Sequence, residues 1–183
     1  DAFAFHPSHG GSATHVLAHS ASGASIASAA GSPATFHYWA TPVSPPIAMS
    51  GAAGSCDVAA LHNVKFSLGG SFLVATRTLA SKPGTHQAVL WKMPGPDGKV
   101  TAPVPLTPPV GTTMSSFAAL HVNDHGHVTA TGWSGGQSRA LLWRMNDQGT
   151  AVNAIMLPPL AGSAHSETKG VSNQAQPWII GTS

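Results

Sequence analysis

The sequence is poor in charged side chains. Asp, Glu, Lys and Arg make up 8% of its 183 residues, against about 25% in an average globular domain. The eight basic residues are scattered along the chain, and the formal net charge is only +2. Binding to a nucleic-acid backbone requires a concentrated basic surface. The composition therefore argues against nucleic acid as a partner and predicts a surface made polar mainly by hydroxyl and backbone groups.

Cysteine and long apolar runs are also scarce. Cys56 is the only cysteine, so neither an intrachain disulfide nor a cysteine-based zinc cluster can form. No apolar run approaches the ~20 residues that are needed to cross a bilayer. The sequence starts at Asp1 without an initiator Met, as in a mature protein whose signal peptide has been removed. We therefore expect no membrane span and a secreted protein, either extracellular or periplasmic.

The sequence also has few long segments without proline or glycine. The chain contains 15 prolines and 20 glycines, which leave hardly any stretch where a helix of about ten residues could persist. Apolar residues nevertheless make up 42% of the sequence, enough for a buried core. The length fits one domain over residues 1–183. We predict a single all-β domain with very little helix.

A short motif recurs at an interval of 52 residues. Ala88-Val89-Leu90-Trp91-Lys92-Met93 and Ala140-Leu141-Leu142-Trp143-Arg144-Met145 share an Ala-x-Leu-Trp-basic-Met pattern, and Thr35-Phe36-His37-Tyr38-Trp39 is a weaker copy. A fixed period of this kind indicates a repeat architecture. The three tryptophans occupy equivalent positions, which predicts that they are core residues packed between neighbouring sheets.

Four segments combine a turn with a following strand pattern. They span residues 19–29, 66–78, 122–134 and 171–183. The last one ends at Ser183 without its aromatic partner strand, and Asp1-Ala2-Phe3-Ala4-Phe5 matches the pattern of the missing strand. We therefore predict a small β-propeller or propeller-like repeat array of about four units, with N- and C-terminal strands closing the ring. A fragment of a longer ring is the alternative.

These features resemble the HAF-type extracellular repeats of bacteria, in which an Ile-Asn-x-x-Gly turn, a Val-Gly-x-Ser strand and a His-Ala-Phe-Leu-Trp strand recur. Val122-Asn123-Asp124-His125-Gly126, Thr131-Gly132-Trp133-Ser134 and Ala140-Leu141-Leu142-Trp143 match best. The second unit departs from the pattern, since Ser67-Leu68 replaces Asn-Asp in its turn. The resemblance implies an extracellular, propeller-like fold, and it implies no particular activity and no catalytic residues.

Two catalytic patterns occur in the sequence. Residues 132–136 satisfy Gly-x-Ser-x-Gly, and residues 166–169 satisfy Ser-x-x-Lys. The first pattern needs a strand, a sharp turn and a helix, but the segment that follows it here repeats a strand seen elsewhere. We interpret residues 132–136 as part of a hairpin and both patterns as chance matches.

Histidine is the strongest chemical signal, with eleven residues in the chain. His125 and His127 are spaced to share a strand face, and His6, His9 and His15 crowd the N-terminal segment. Neutral imidazoles are ligands for copper and zinc, so these residues indicate a candidate metal site. The alternative is that histidine serves as a polar surface residue in a chain that is poor in lysine and glutamate.

Trp133 and Trp178 fall outside the register of the repeated tryptophans, so we take them as candidate ligand-stacking residues. The first hypothesis for function is a secreted, non-enzymatic binding or assembly module that contacts a neutral glycan or other protein subunits, in a homo- or hetero-oligomer. This hypothesis requires no cofactor. The alternative is a protein that binds copper or zinc, and a hydrolase ranks last.

Overall fold

The computed structural model describes residues 14–29, 35–41, 44–45, 47–49, 60–78, 86–94, 103–112, 114, 116–146 and 154–183. The regular structure in these ranges consists of antiparallel β-strands without a helix, which confirms the predicted all-β class. The described residues do not show a closed ring. No helix among them is long and apolar enough to cross a membrane.

The strands of the described residues form three four-stranded sheets and one two-stranded sheet, and strands that follow each other within a sheet are hydrogen-bonded neighbours. Sheet 1 contains β1 (Thr14–His19), β2 (Ser25–Ala29), β3 (Thr35–Trp39) and β4 (Ile47–Ala48). Sheet 2 contains β5 (Ala60–Phe66), β6 (Phe72–Thr78), β7 (His86–Lys92) and β8 (Val104–Pro105). Sheet 3 contains β9 (Ser116–Val122), β10 (Val128–Ser134), β11 (Gln137–Trp143) and β12 (Ile155–Leu157). Sheet 4 contains β13 (Glu167–Val171) and β14 (Ile179–Thr182).

Two of the sequence predictions fall partly or wholly outside the described residues. Residues 1–5, the proposed partner strand of the last unit, lie outside them, as do His6 and His9. His15 lies in β1, and its side chain is not among those described.

The hairpin between β10 and β11 explains the Gly-x-Ser-x-Gly pattern. Ser134 pairs with Gln137 across a two-residue loop, and the loop residues Gly135 and Gly136 have φ values of 58° and 79°. Two consecutive positive φ angles are typical of the tight turns that match the twist of a hairpin. Ser134 therefore ends a strand, as predicted. Ser166 likewise directly precedes a strand, β13, and no helix brings it onto one face with Lys169.

A tryptophan occupies the same register position in sheets 1, 2 and 3. It lies on the third strand, opposite the first residue that follows the turn between the first two strands; the pairs are Trp39 with Ser25, Trp91 with Leu73 and Trp143 with Val128. Trp91 and Trp143 are 5% and 1% exposed, which confirms the prediction that they are core residues. Trp39 is only half-buried, because it lies on the face of sheet 1 that turns away from sheet 2.

Two apolar cores fill the spaces between the sheets. The core between sheets 1 and 2 contains Ile26, Phe36, Tyr38, Leu73 and Trp91. The core between sheets 2 and 3 contains Val74, Leu90, Val128, Leu141 and Trp143. Since successive side chains of a strand point to opposite faces, Leu73 enters the first core and Val74 the second. In each junction the later sheet contributes the face that carries its tryptophan.

Sheet 4 is attached to sheet 3 through polar groups. The backbone N–H of Thr168 donates to Thr131 Oγ1 at 3.1 Å, and the N–H of Ser166 donates to the carbonyl oxygen of Ser138 at 3.1 Å. The side chains of Thr129 and Thr168 are fully buried, and neither hydroxyl has a hydrogen-bond partner among the described residues. A buried hydroxyl without a partner costs roughly 1–3 kcal/mol. The two hydroxyls therefore reduce the stability that this junction contributes.

Candidate functional site

The first two strands of each sheet are joined by a turn. Turn 1 comprises residues 20–24, turn 2 residues 67–72, turn 3 residues 123–127 and turn 4 residues 172–178. In each, the N–H of the first residue donates to the carbonyl oxygen of the last, over 2.8–3.1 Å. The fourth residue of turns 1, 2 and 3 is a glycine with φ between 75° and 90°, namely Gly23, Gly70 and Gly126. This backbone conformation is accessible to glycine without strain.

Hydrogen bonds join the four turns into one row. Ser22 Oγ in turn 1 donates to the carbonyl oxygen of Gly69 in turn 2 at 3.1 Å. The N–H of Gly69 donates to Asp124 Oδ1 in turn 3 at 2.8 Å. The N–H of Asp124 donates to Asn173 Oδ1 in turn 4 at 2.7 Å, and Asn173 Nδ2 donates back to Asp124 Oδ2 at 2.6 Å. We call this set of four linked turns the turn row.

Asn123 holds turn 3 together and binds it to turn 4. Its side chain is buried; Oδ1 accepts hydrogen bonds from the N–H groups of His125 at 3.0 Å and His127 at 2.9 Å. Its Nδ2 donates to the carbonyl oxygens of Ser172 at 2.9 Å and Gln174 at 3.1 Å. An amide side chain offers an acceptor and two donors at once, which explains why asparagine suits this position.

The carboxylate of Asp124 is the centre of the row. Burial raises its pKa, but hydrogen bonds from Ser67, from the N–H of Gly69 and from Asn173, together with the nearby His125, outweigh burial and leave the pKa below its usual value. The group is therefore ionised at neutral pH. Hydrogen bonds that end on a charged oxygen are stronger than neutral ones, so Asp124 is the main link between sheets 2, 3 and 4 at this end.

The closing residue of each turn packs against the next turn. The Cβ of Ala24 lies 3.4 Å from the position that a Cβ on Gly70 would take, and Phe72 Cε1 lies 3.2 Å from the corresponding position on Gly126. His127 forms a hydrogen bond with the backbone of Gln174. The equivalent residue of turn 4 is Trp178, whose side chain is 74% exposed. Trp178 therefore projects from the end of the row.

The two candidate metal ligands lie in turn 3. Both precede β10, so they do not share a strand face as the sequence suggested. His127 is buried, with Nδ1 3.3 Å from Asn123 Nδ2, and its pKa is lowered by burial and by the charges of Arg144 and His125. His125 is exposed, and the two ring centroids are 6.3 Å apart. Across the described ranges, no group of three or more His, Cys, Asp or Glu side chains is arranged to hold a metal ion.

The two candidate stacking tryptophans are not brought together. Trp133 lies near the end of β10 that is remote from turn 3, opposite Ser116 and Ser138 of the adjacent strands, and it is half-buried. Trp178 closes turn 4 and is largely exposed. Trp178 is therefore the one of the two that is open to a partner.

A serine–histidine pair that the sequence did not indicate joins sheet 3 to the segment before β13. Ser138 Oγ lies 3.2 Å from His165 Nδ1, and the N–H of Ser138 donates to the same nitrogen at 3.2 Å. Such a pair is typical of an activated nucleophile. Ser138, however, is only 3% exposed, so a substrate does not reach its hydroxyl. The geometry fits a role in attaching sheet 4.

The turn row was also missed at the level of sequence. One feature of the sequence does indicate the turn row. A small polar residue recurs at the first position of each turn, and Asn or Asp stands at the second position of turns 3 and 4. Comparison with models of known protein families gives no match, and comparison with curated proteins gives no relative. The function is therefore inferred from the turn row and from the faces that it positions.

Proposed function

We propose that this chain is a secreted, non-enzymatic binding or assembly module built on a rigid, propeller-like array of four units. One observation carries the proposal: hydrogen bonds link the turns of all four sheets into one row, and this row ends on the exposed ring of Trp178. Exposed aromatic side chains on a rigid framework are typical anchors of protein interfaces. The resemblance to HAF-type extracellular repeats supports the secreted location.

A protein partner is favoured over a glycan by where the exposed apolar side chains lie. Among the described residues, five of the seven large apolar side chains that are exposed belong to sheets 3 and 4 and the segment between them: Ile155, Met156, Leu160, Trp178 and Ile180. Contiguous exposed apolar side chains are typical of a protein contact surface, and Trp178 and Ile180 are only two residues apart in the sequence. Binding of a neutral glycan to Trp178 is the competing outcome, which the experiment below separates.

The finer architecture that we propose is a propeller-like array in which the N-terminal strand meets β14. Within the described residues, β14 pairs with β13 alone, whereas each of the other three sheets has four strands. The unpaired backbone N–H and C=O groups of an open strand edge can pair with another strand. Asp1-Ala2-Phe3-Ala4-Phe5 has the sequence pattern of the third strands of the other sheets, which makes it the candidate for this edge.

The alternative functions have weaker support. A copper or zinc site at His125 and His127 would have to displace the hydrogen bonds that His127 forms with Asn123 and Gln174. A hydrolase would need a reachable nucleophile, and the Ser138 hydroxyl is enclosed.

The proposal is tested with the purified protein in three parallel measurements. We expect sedimentation to detect association between protein chains, and we expect neither a neutral-glycan array nor calorimetric titration with copper and zinc to give stoichiometric binding. Tight copper or zinc uptake that is lost in the double variant His125→Ala/His127→Ala, but retained in the control His165→Ala, would contradict the proposal. If the protein binds the glycan array and Trp178→Ala does not, the chain is still a binding module, but its partner is a neutral glycan rather than a protein.

A further inference from the structure

The short segment before β13 extends the edge of sheet 3. At the end of β12, the N–H of Ser138 donates to His165 Nδ1 at 3.2 Å, and the N–H of Ala140 donates to Ser166 Oγ at 3.0 Å. The N–H of Ser166 donates to the carbonyl oxygen of Ser138 at 3.1 Å. An imidazole nitrogen and a hydroxyl oxygen therefore accept N–H groups that a partner strand would bind through its carbonyl oxygens. We call residues 163–166 the linking segment.

The backbone of His165 is fixed on both sides. Its N–H donates to Ser163 Oγ at 3.1 Å, and its carbonyl oxygen accepts hydrogen bonds from Ser163 Oγ and Ser183 Oγ, each at 2.9 Å. Arg139 Nη1 donates to the carbonyl oxygen of Ala164. The position of the imidazole against β11 is therefore set by the backbone as well as by the ring nitrogen.

The contact between His165 and Ser138 requires a neutral imidazole. One nitrogen of a neutral imidazole accepts and the other donates, whereas both nitrogens of a protonated ring donate. Because the N–H of Ser138 donates to Nδ1, the proton of the neutral ring is on Nε2. Protonation places an N–H on Nδ1 opposite the N–H of Ser138, and turning the ring over would present a carbon atom instead. The Ser138 hydroxyl can rotate to accept the new proton, but the backbone N–H then has no acceptor.

The charged groups near His165 come from the two strands that adjoin the linking segment. Arg139 on β11 donates to the carbonyl oxygen of Ala164 and to the side chain of Gln137. Glu167 on β13 pairs with Lys169 at 2.8 Å. Among the described residues, no carboxylate forms a hydrogen bond with the His165 ring, so no ion pair there replaces the contact that protonation removes.

The linking segment and the turn row hold sheet 4 at opposite ends. The linking segment directly precedes β13, and turn 4 directly follows it. In the turn row, the pKa of Asp124 is below its usual value and burial lowers the pKa of His127. Imidazoles change charge between pH ~5 and ~8. Mild acid therefore leaves the Asp124 carboxylate ionised, and it acts on the linking segment before it acts on the turn row.

We propose that His165 makes the attachment of sheet 4 sensitive to acid. The neutral imidazole holds the linking segment on β11, and protonation of the imidazole loosens this end of the sheet while the turn row stays intact. Sheet 4 carries Ile180 and is preceded by Trp178, the exposed side chains that carry the proposed function. The effect of acid on partner binding rests on that proposed function, whereas the loosening itself does not.

NMR spectroscopy of the isotope-labelled protein tests the tautomer and the contact. At neutral pH we expect the Nε2–H tautomer of His165 and a Ser138 amide that is protected from hydrogen exchange. The protection factor corrects for the intrinsic pH dependence of exchange. Between pH ~7.5 and ~5 that of Ser138 should fall by about tenfold or more, because the bond is lost and the donor is left without an acceptor. The amide of Gly69, which donates to Asp124, is the internal control and should change by no more than about twofold.

His165→Asn is the variant that separates titration from structure. Its side-chain oxygen takes a place close to that of Nδ1 and accepts a hydrogen bond at every pH, since an amide does not titrate. We expect this variant to keep the protection of Ser138 at both pH values. The matched control is His19→Asn, at an exposed histidine of sheet 1, which should keep the pH dependence of the wild type.

Three results would overturn the inference. These are an Nδ1–H tautomer at neutral pH, a Ser138 protection factor that does not change with pH, and the same change in His165→Asn as in the wild type. Sedimentation at both pH values then separates the inference from the proposed function. Association that weakens in acid for the wild type but not for His165→Asn supports both. If Ser138 loses protection as expected but the chain associates at neither pH, the loosening is confirmed and the protein partner of the proposed function is contradicted.

Discussion

Replacing Asp124 by alanine tests the turn row directly. The substitution removes the acceptor for the N–H of Gly69 at 2.8 Å and for Asn173 Nδ2 at 2.6 Å, and it also removes the hydrogen bond with Ser67. A hydrogen bond to a charged group contributes roughly 1.5–3 kcal/mol when it is buried. Asp124 is partly exposed, so we place the total loss in the free energy of unfolding at about 2–3 kcal/mol. At ~2–4 °C per kcal/mol for a chain of this size, Tm should fall by about 5–10 °C.

The pH dependence of this loss has a defined sign. The pKa of Asp124 is lower in the folded state than its ordinary value, so its stabilising effect is fully present above the unfolded pKa of ~3.9 and is lost as the pH falls through the folded pKa. The difference in Tm between the wild type and Asp124→Ala should therefore be largest near neutral pH and shrink in strong acid.

Differential scanning calorimetry at neutral and acidic pH measures both effects. Glu167→Ala is the matched control, because it removes another carboxylate, one that pairs with exposed Lys169 at 2.8 Å. Surface ion pairs contribute roughly 0.2–1 kcal/mol, so this variant should change Tm by only a few degrees. A Tm for Asp124→Ala within about 1 °C of the wild type at neutral pH would refute the structural role of the turn row.

Three further predictions concern stability. Because burial lowers the pKa of His127, the unfolded state takes up the proton first as the pH falls below ~6.5, and Tm should fall with the pH there. In His127→Gln the change of Tm with pH should be smaller, and an unchanged pH dependence would contradict the buried neutral imidazole. In urea unfolding, Gly126→Ala should lower the free energy of unfolding by at least about 1 kcal/mol more than Gly162→Ala. Both glycines have positive φ, but only a Cβ added at Gly126 would meet other side chains. Equal losses for the two variants would contradict this packing. Trp143→Ala should lower the free energy of unfolding by about 3–5 kcal/mol, whereas Trp178→Ala, in dilute protein, should change it by no more than about 0.5 kcal/mol. Similar losses for the two variants would contradict their different burial.

The β class and the equivalence of the tryptophans could be predicted from the sequence because both depend on local patterns. Alternation of apolar and polar residues defines a strand, and paired glycines such as Gly135 and Gly136 define a hairpin. A period of 52 residues then places Trp91 and Trp143 at the same register. Trp39 follows the same period but is less buried, because burial depends on a neighbouring sheet and sheet 1 has one on a single side among the described residues.

The turn row and the location of the histidines could not be predicted in this way. Asp124 and Asn173 are 49 residues apart, and their contact depends on how sheets 3 and 4 pack. His127 was expected in a strand, but Asn123 Oδ1 accepts its N–H and extends the turn to this residue, so that β10 begins at Val128. The polar attachment of sheet 4, like the Ser138–His165 pair, joins residues that no local pattern connects.

Sedimentation of the purified protein tests the central claim most directly, that this chain is a binding or assembly module whose turn row presents Trp178 to a protein partner. Trp178 is 74% exposed, and Val110, an apolar residue that is 86% exposed outside sheet 4, provides the matched control. The sedimenting mass of the wild type and of Val110→Ala should rise with protein concentration, and association of Trp178→Ala should weaken by about tenfold or more. A wild type that stays monomeric at every concentration, or association that Trp178→Ala leaves unchanged, would contradict the account.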